Sequence, residues 1–181
     1  DGNTVEFWLK KPNFLSDING GGYEVLFDCY TTSSLSSSLD YGRLRVELTG
    51  NTSGSPFRIT FMSGTNGLFR ETIGDVTTSS VGDDNWHHYA FVLKNTGSLG
   101  PVSALNKPPV TQNNRKDIQI DFYVDGKLNS SVITGSTIDY VSGALVATVG
   151  ALAASPSGTA GGTIQTAVGT DMQAMRGYGK L

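Results

Sequence analysis

Apolar and polar side chains alternate through most of this chain, in runs of five to nine residues bounded by Gly, Asn, Asp and Ser. A side chain that changes face at every residue describes a strand with one face turned to an apolar interior. Helical periodicity is hard to find. The runs predict half-buried antiparallel strands over 3–10, 23–30, 43–49, 57–62, 67–73, 86–94, 117–125, 127–134 and 145–152. In Arg43-Leu-Arg-Val-Glu-Leu-Thr49, Leu44, Val46 and Leu48 fall on one side and Arg43, Arg45 and Glu47 on the other. That pattern predicts one dry face and one solvated face. Asp125-Gly126 offers the two positive-φ positions of a two-residue hairpin loop, pairing 117–125 with 127–134. Asn66-Gly67 predicts a similar turn between 57–62 and a strand beginning near Leu68.

The length of 181 residues suits one domain, large enough to bury roughly 70% of the surface its unfolded chain exposes. Only 16% of the residues are charged and the net charge is −3, so no basic stripe is available to neutralise phosphates. Nucleic acid and anionic membrane are therefore poor candidate partners. The weakly polar run from Ala144 to Ala154 is about half of the roughly 20 residues a spanning helix needs, which argues against membrane insertion. Cys29 is the single cysteine, which excludes an intrachain disulfide and every zinc motif built on two thiolates. Its place in phase with Tyr23, Val25 and Phe27 predicts a small buried hydrophobe.

Segments 31–42, 95–116 and 153–177 lack periodicity, and long aperiodic loops in a compact domain are usually functional or disordered. A ligand site or partner contact is expected there.

Four motifs stand in order along the chain: Thr4-Val-Glu-Phe-Trp-Leu9, Trp86-His-His-Tyr-Ala-Phe-Val92, Phe122-Tyr-Val-Asp-Gly-Lys127 and Ala147-Thr-Val-Gly-Ala151. Their order and spacing resemble the laminin G-like, concanavalin A-like jelly-roll family over about residues 3–152. The resemblance implies an all-β jelly-roll sandwich of two antiparallel sheets that binds rather than catalyses, with glycan as the leading ligand class. It also implies a surface, secreted or virion parent protein, with a cell-surface or virion protein as the other partner class and a multimeric assembly as the setting. Gly179-Lys-Leu181 resembles the lead-in to the family's closing strand, so the chain reads as a single domain taken from a longer polypeptide.

Candidate site residues follow from ligand chemistry. Asp40-Tyr41 and Asp139-Tyr140 each set an acid beside an aromatic at a loop edge. A ring can stack on the apolar face of a sugar while the carboxylate accepts from its hydroxyls. Many members of the resembled family bind calcium through rim loops, and Asp83, Asp84 and Asn85 present three hard oxygen donors in a row. The same stretch also reads as an ordinary turn before the Trp86 strand. Trp8 and Trp86, set among Phe, Ala and Leu, are predicted to pack in the core rather than to serve as sugar platforms. His87 and His88 point to opposite faces and cannot act on one atom; His88, in phase with Trp86 and Ala90, reads as structural. A glycan hydrolase on this fold needs two carboxylates converging from one strand. The nearest pair, Asp117 and Asp121, lies on a strand that reads as ordinary, so no enzyme is expected. Asn51-Thr-Ser53 and Asn129-Ser-Ser131 fit the glycosylation acceptor pattern, which a Ser/Thr-rich chain also produces by chance.

Overall fold

The computed structural model describes residues 2–12, 14, 23–31, 42–50, 52–63, 66–95, 118–133, 145–149 and 172–174. Its strands are β1 (Gly2–Lys10), β2 (Tyr23–Thr31), β3 (Gly42–Thr49), β4 (Phe57–Ser63), β5 (Asn66–Thr72), β6 (Trp86–Asn95), β7 (Ile118–Val124), β8 (Lys127–Ile133), β9 (Leu145–Val149) and β10 (Met172–Ala174). The first nine coincide with the nine alternating runs. Two elements were not anticipated: β10, too short to show alternation, and the single helical turn α1 (Thr78–Val81). Thr77 caps that turn by accepting from the Ser80 N–H, while the Ser80 hydroxyl accepts from the Thr77 N–H, and Gly82 ends it.

The fold is an all-β sandwich. The smaller sheet runs β1-β6-β7-β8 and the larger β10-β2-β3-β4-β5, with β9 sharing the outer edge of β2. β9 pairs with Phe27–Thr31 and β10 with Tyr23–Val25, so two short strands divide one edge between them. All pairings are antiparallel except β10 with β2.

Leu26, Val46, Leu48, Phe57 and Ile59 of the larger sheet meet Leu9, Tyr89, Phe91, Leu93, Ile120 and Phe122 of the smaller one. Phe57 stands at the centre, with ring centroids 4.8 Å from Tyr89, 5.8 Å from Phe91 and 5.0 Å from Phe122. Burying one side chain of this size contributes about 1.5–3 kcal/mol by transfer alone, so this aromatic knot is the main fastening between the layers.

Four expectations are corrected. A bulge between Val25 and Phe27 breaks the phase of β2: Val25 faces outward opposite Glu47, while Phe27 and Cys29 face inward opposite Val46 and Leu44. Cys29 is accordingly only partly buried, and burial raises its thiol pKa. The Asn66-Gly67 pair is not the turn but the first two residues of β5, and the connecting residues 64 and 65 lie outside the described residues. Gly67 has φ +124°, and a Cβ there would stand 2.0 Å from the Phe61 carbonyl oxygen, so glycine is needed where β5 closes on β4. Asp125-Gly126, with φ values of 49° and 78°, does form the predicted hairpin turn.

The other two corrections concern the outward faces. Arg43, Arg45 and Glu47 are buried, at 4%, 0% and 0% exposure, where solvation was expected. Trp8 and Trp86, expected in the core, are 56% and 47% exposed. Phe7 and Leu9 in β1, and Tyr89, Phe91 and Leu93 in β6, occupy the inward positions, so the neighbouring tryptophans must turn outward.

Candidate functional site

The outward face of the smaller sheet follows from strand register. Trp8 sits opposite His88 and Lys10 opposite Trp86, so the two tryptophans are diagonal neighbours on adjacent strands. The His88 ring lies against Trp8, centroid to centroid 5.2 Å, and its Nε2 is 3.6 Å from a Glu6 carboxylate oxygen. Ala90 continues the row along β6, with Tyr123 of β7 opposite it and Leu128 of β8 beyond. The result is a surface of spaced rings, a small residue and polar groups.

Farther along this face Asp121 is buried and accepts from Gln119 Nε2 at 2.6 Å, Ser131 Oγ and Lys94 Nζ. Burial pushes its carboxyl upward, but these donors outweigh it and hold the pKa below the ordinary value. Asp121 is thus engaged in tying three strands together. Asp117, its suggested partner in catalysis, lies outside the described residues.

At the end of the face nearest Trp86, the loop before β6 meets the β7–β8 turn through His87. His87 Nδ1 is 2.8 Å from Asp125 Oδ2, and Nε2 is 3.2 Å from Asp83 Oδ2. An ionised carboxylate only accepts, so both contacts are hydrogen bonds when the imidazole carries both protons. The Asp125 contact, aided by Asp83 against some desolvation, raises the His87 pKa. Asp125 Oδ1 also accepts the His88 N–H at 2.9 Å, and the Asp125 N–H donates to the His88 carbonyl at 2.8 Å. Donation from the Asn85 side chain and N–H, with His87 adding to it, pulls Asp83 down to about 2.

The suggested calcium ligands are placed by these contacts. Asp83 and Asn85 form a local turn, and Asp84, with φ 62°, pairs its carboxylate with Lys10 Nζ at 3.3 Å and donates its N–H to the Lys11 carbonyl. Among the described residues, no three His, Cys, Asp or Glu side chains are grouped as a metal site.

A second polar constellation occupies the outward face of the larger sheet. Asp28 pairs with Arg43 at 2.6 Å and with Arg45 at 3.2 Å, and Arg45 reaches Glu47 at 3.0 Å. Glu47 in turn stands 3.3 Å from Arg70 Nε, and the Arg70 guanidinium lies over the Tyr23 ring at 3.8 Å. Burial raises both acids; for Asp28 the two arginines outweigh it and the pKa falls, whereas for Glu47 Arg45 and Arg70 offset it only in part and the pKa rises. Pairing is what permits full burial of such groups. Arg70 reaches Glu47 from an irregular part of β5, where its own φ is 49° and its N–H donates to Thr60 Oγ1.

Asp40, Tyr41, Asp139 and Tyr140, the predicted sugar-binding pairs, lie outside the described residues, as does most of the three aperiodic segments. The sequence reading missed the shared outward face of Trp8 and Trp86 and the bridging role of His87. The signal for the first was present: Phe7, Leu9, Tyr89 and Phe91 already fill the inward phase of the same two strands. For the second, Asp83 and His87 are separated by a chain reversal, and Asp125 is distant in sequence. No protein-family model matches the chain, and no curated protein matches it. No helix among the described residues is long and apolar enough to cross a membrane.

Proposed function

We propose that this domain is a non-catalytic binding module whose ligand is a glycan, held on the outward face of the smaller sheet by Trp8 and Trp86. The observation that carries the reading is the exposure of both rings, 56% and 47%, as diagonal neighbours on paired strands. Exposed indoles with His88 and Lys10 on the opposite diagonal and Glu6 beyond Trp8 offer what a sugar needs: a π-face for its C–H surface and polar groups for its hydroxyls. A protein-binding patch of comparable size would be expected to be more continuously apolar at its centre. The resemblance to the laminin G-like jelly-roll family points the same way, but fold alone does not assign a ligand. Each sugar contact is weak, and useful affinity comes from presenting several copies on a surface, secreted or virion protein.

A glycan array, read with and without calcium and repeated on Trp8→Ala and Trp86→Ala, tests the proposal. Binding that falls at least about tenfold in each variant is expected, as for losing an aromatic contact at the ligand. Calcium is expected to leave binding unchanged, because Asp83, Asp84 and Asn85 are engaged with His87, Lys10 and each other. A blank array, or wild-type binding by both variants, would sink the reading. The alternative, an assembly domain making protein contacts only, is favoured by the exposed Leu128 and Ile133 along β8.

A further inference from the structure

We infer that this face takes an extended, uncharged glycan of several rings, laid across β1, β6 and β7, rather than a single terminal sugar. The inference rests on the glycan reading above and deepens it. Side chains on one sheet face recur about every 7 Å along a strand, and strands lie about 4.8 Å apart. The register puts Trp8 one strand across and two residues along from Trp86, a separation of about 8 Å on that grid. Tyr123, opposite Ala90 on the other side of β6, lies about 12 Å from Trp8 and about 14 Å from Trp86. Three aromatic positions this far apart along one sheet face span more than a single pyranose. These separations put a near-right angle at Trp8, so a linear chain running along β6 from Trp86 to Tyr123 meets those two at its ends and passes Trp8 at its side, about 7 Å off the line. Ala90 contributes only a methyl group between Tyr123 and the tryptophans, which leaves the path across β6 low.

The charges on the face select against a polyanion. Lys10 is paired with Asp84 and Lys94 with Asp121, so each of these cations is already offset by a carboxylate. Glu6, with a side chain 66% exposed, adds a negative charge beside Trp8. A chain of neutral sugars meets this surface with no charge to desolvate or repel.

The test is a titration of the intact domain with cello-, xylo-, manno- and chito-oligosaccharides, monosaccharide through hexasaccharide, with heparin as a competing polyanion. In one of these series the hexasaccharide is expected to bind at least about tenfold more tightly than the disaccharide. Tyr123→Ala should remove about tenfold of that gain while leaving the disaccharide affinity unchanged. Heparin should not compete. Tyr123 is partly exposed, and matching far-ultraviolet circular dichroism of variant and wild type shows that the variant is folded. Glycan binding independent of length, a Tyr123→Ala variant that keeps the full length gain, or displacement by heparin overturns this inference alone. A blank glycan array overturns the glycan reading and takes the inference with it.

Discussion

The two outward faces of the sandwich invert the usual rule of what is wet and what is dry. On the larger sheet, Asp28, Arg43, Arg45 and Glu47 are almost wholly buried; on the smaller sheet, Trp8 and Trp86 are about half exposed. The core between the sheets does not distinguish them, because both donate ordinary apolar side chains to it. What differs is the energetic role of the outward residues. Buried charges carry a desolvation penalty and persist because each lies against an opposite charge, so their face is committed to structure. Exposed indoles leave apolar area in water that the fold does not need uncovered, so their face is open to a ligand. The proposed binding therefore falls on the smaller sheet.

The sharpest way to break this contrast is to remove one member of the buried ladder. Arg45 bridges Asp28 and Glu47 with no exposure of its own, and Arg45→Met keeps most of the volume while leaving two buried acids short of a cation. A loss of about 3–5 kcal/mol in unfolding free energy is expected, read from urea denaturation at neutral pH. A change below about 1 kcal/mol would mean that this face is solvated in solution, and the two faces would then not differ in kind.

Strand positions were legible because alternation is a local property of the chain, and nine runs became nine strands. Facing was less legible. In β2 one bulge at Leu26 reversed the phase assigned from Tyr23 to Cys29, since an inserted residue leaves no mark in an alternating pattern. In β1 and β6 the inward phase was legible from Phe7, Leu9, Tyr89 and Phe91, but the two indoles were assigned to the core by their hydrophobicity rather than by their phase. The burial of Arg43, Arg45 and Glu47 was hidden for a related reason. Charge alternation reads as solvation unless the opposite charges on β2 and β5 are known to lie alongside. The His87 bridge depends on a contact between residues 87 and 125, which local pattern does not encode.

A smaller effect separates the rim of the open face from the ladder of the closed one. His87 has a folded pKa raised above its ordinary 6.5, so its contribution is fully present below that value and is lost as pH rises through the folded pKa. Asp83, pulled from 3.8 to about 2, contributes above 3.8 and loses its effect as pH falls towards 2. The bridge is therefore at full strength between roughly pH 4 and 6.5 and weakens above that window. His87→Gln keeps a donor but carries no charge. The difference in Tm between wild type and His87→Gln is expected to be largest near pH 5.5 and to shrink by pH 8.5. A difference that stays constant across this range would mean that the bridge does not depend on the imidazolium.

The smallest stability effect is expected at the residues given the largest functional role. Trp8→Ala removes a ring that lies against the His88 ring, and Trp86→Ala removes one standing opposite Lys10. Neither belongs to the buried cluster, and neither leaves a cavity of the kind that makes a core deletion cost about 3–5 kcal/mol. Losses of at most about 1 kcal/mol for Trp8→Ala and about 0.5 kcal/mol for Trp86→Ala are expected by urea denaturation. A loss above about 2 kcal/mol at either position would place that indole with the structural side chains, and the comparison between an open and a committed face would fail there. Near-neutral stability joined to lost glycan binding is the combination that separates a ligand platform from a layer of the fold. A structural ring must weaken the domain when it is removed, whereas a platform ring need weaken only the complex.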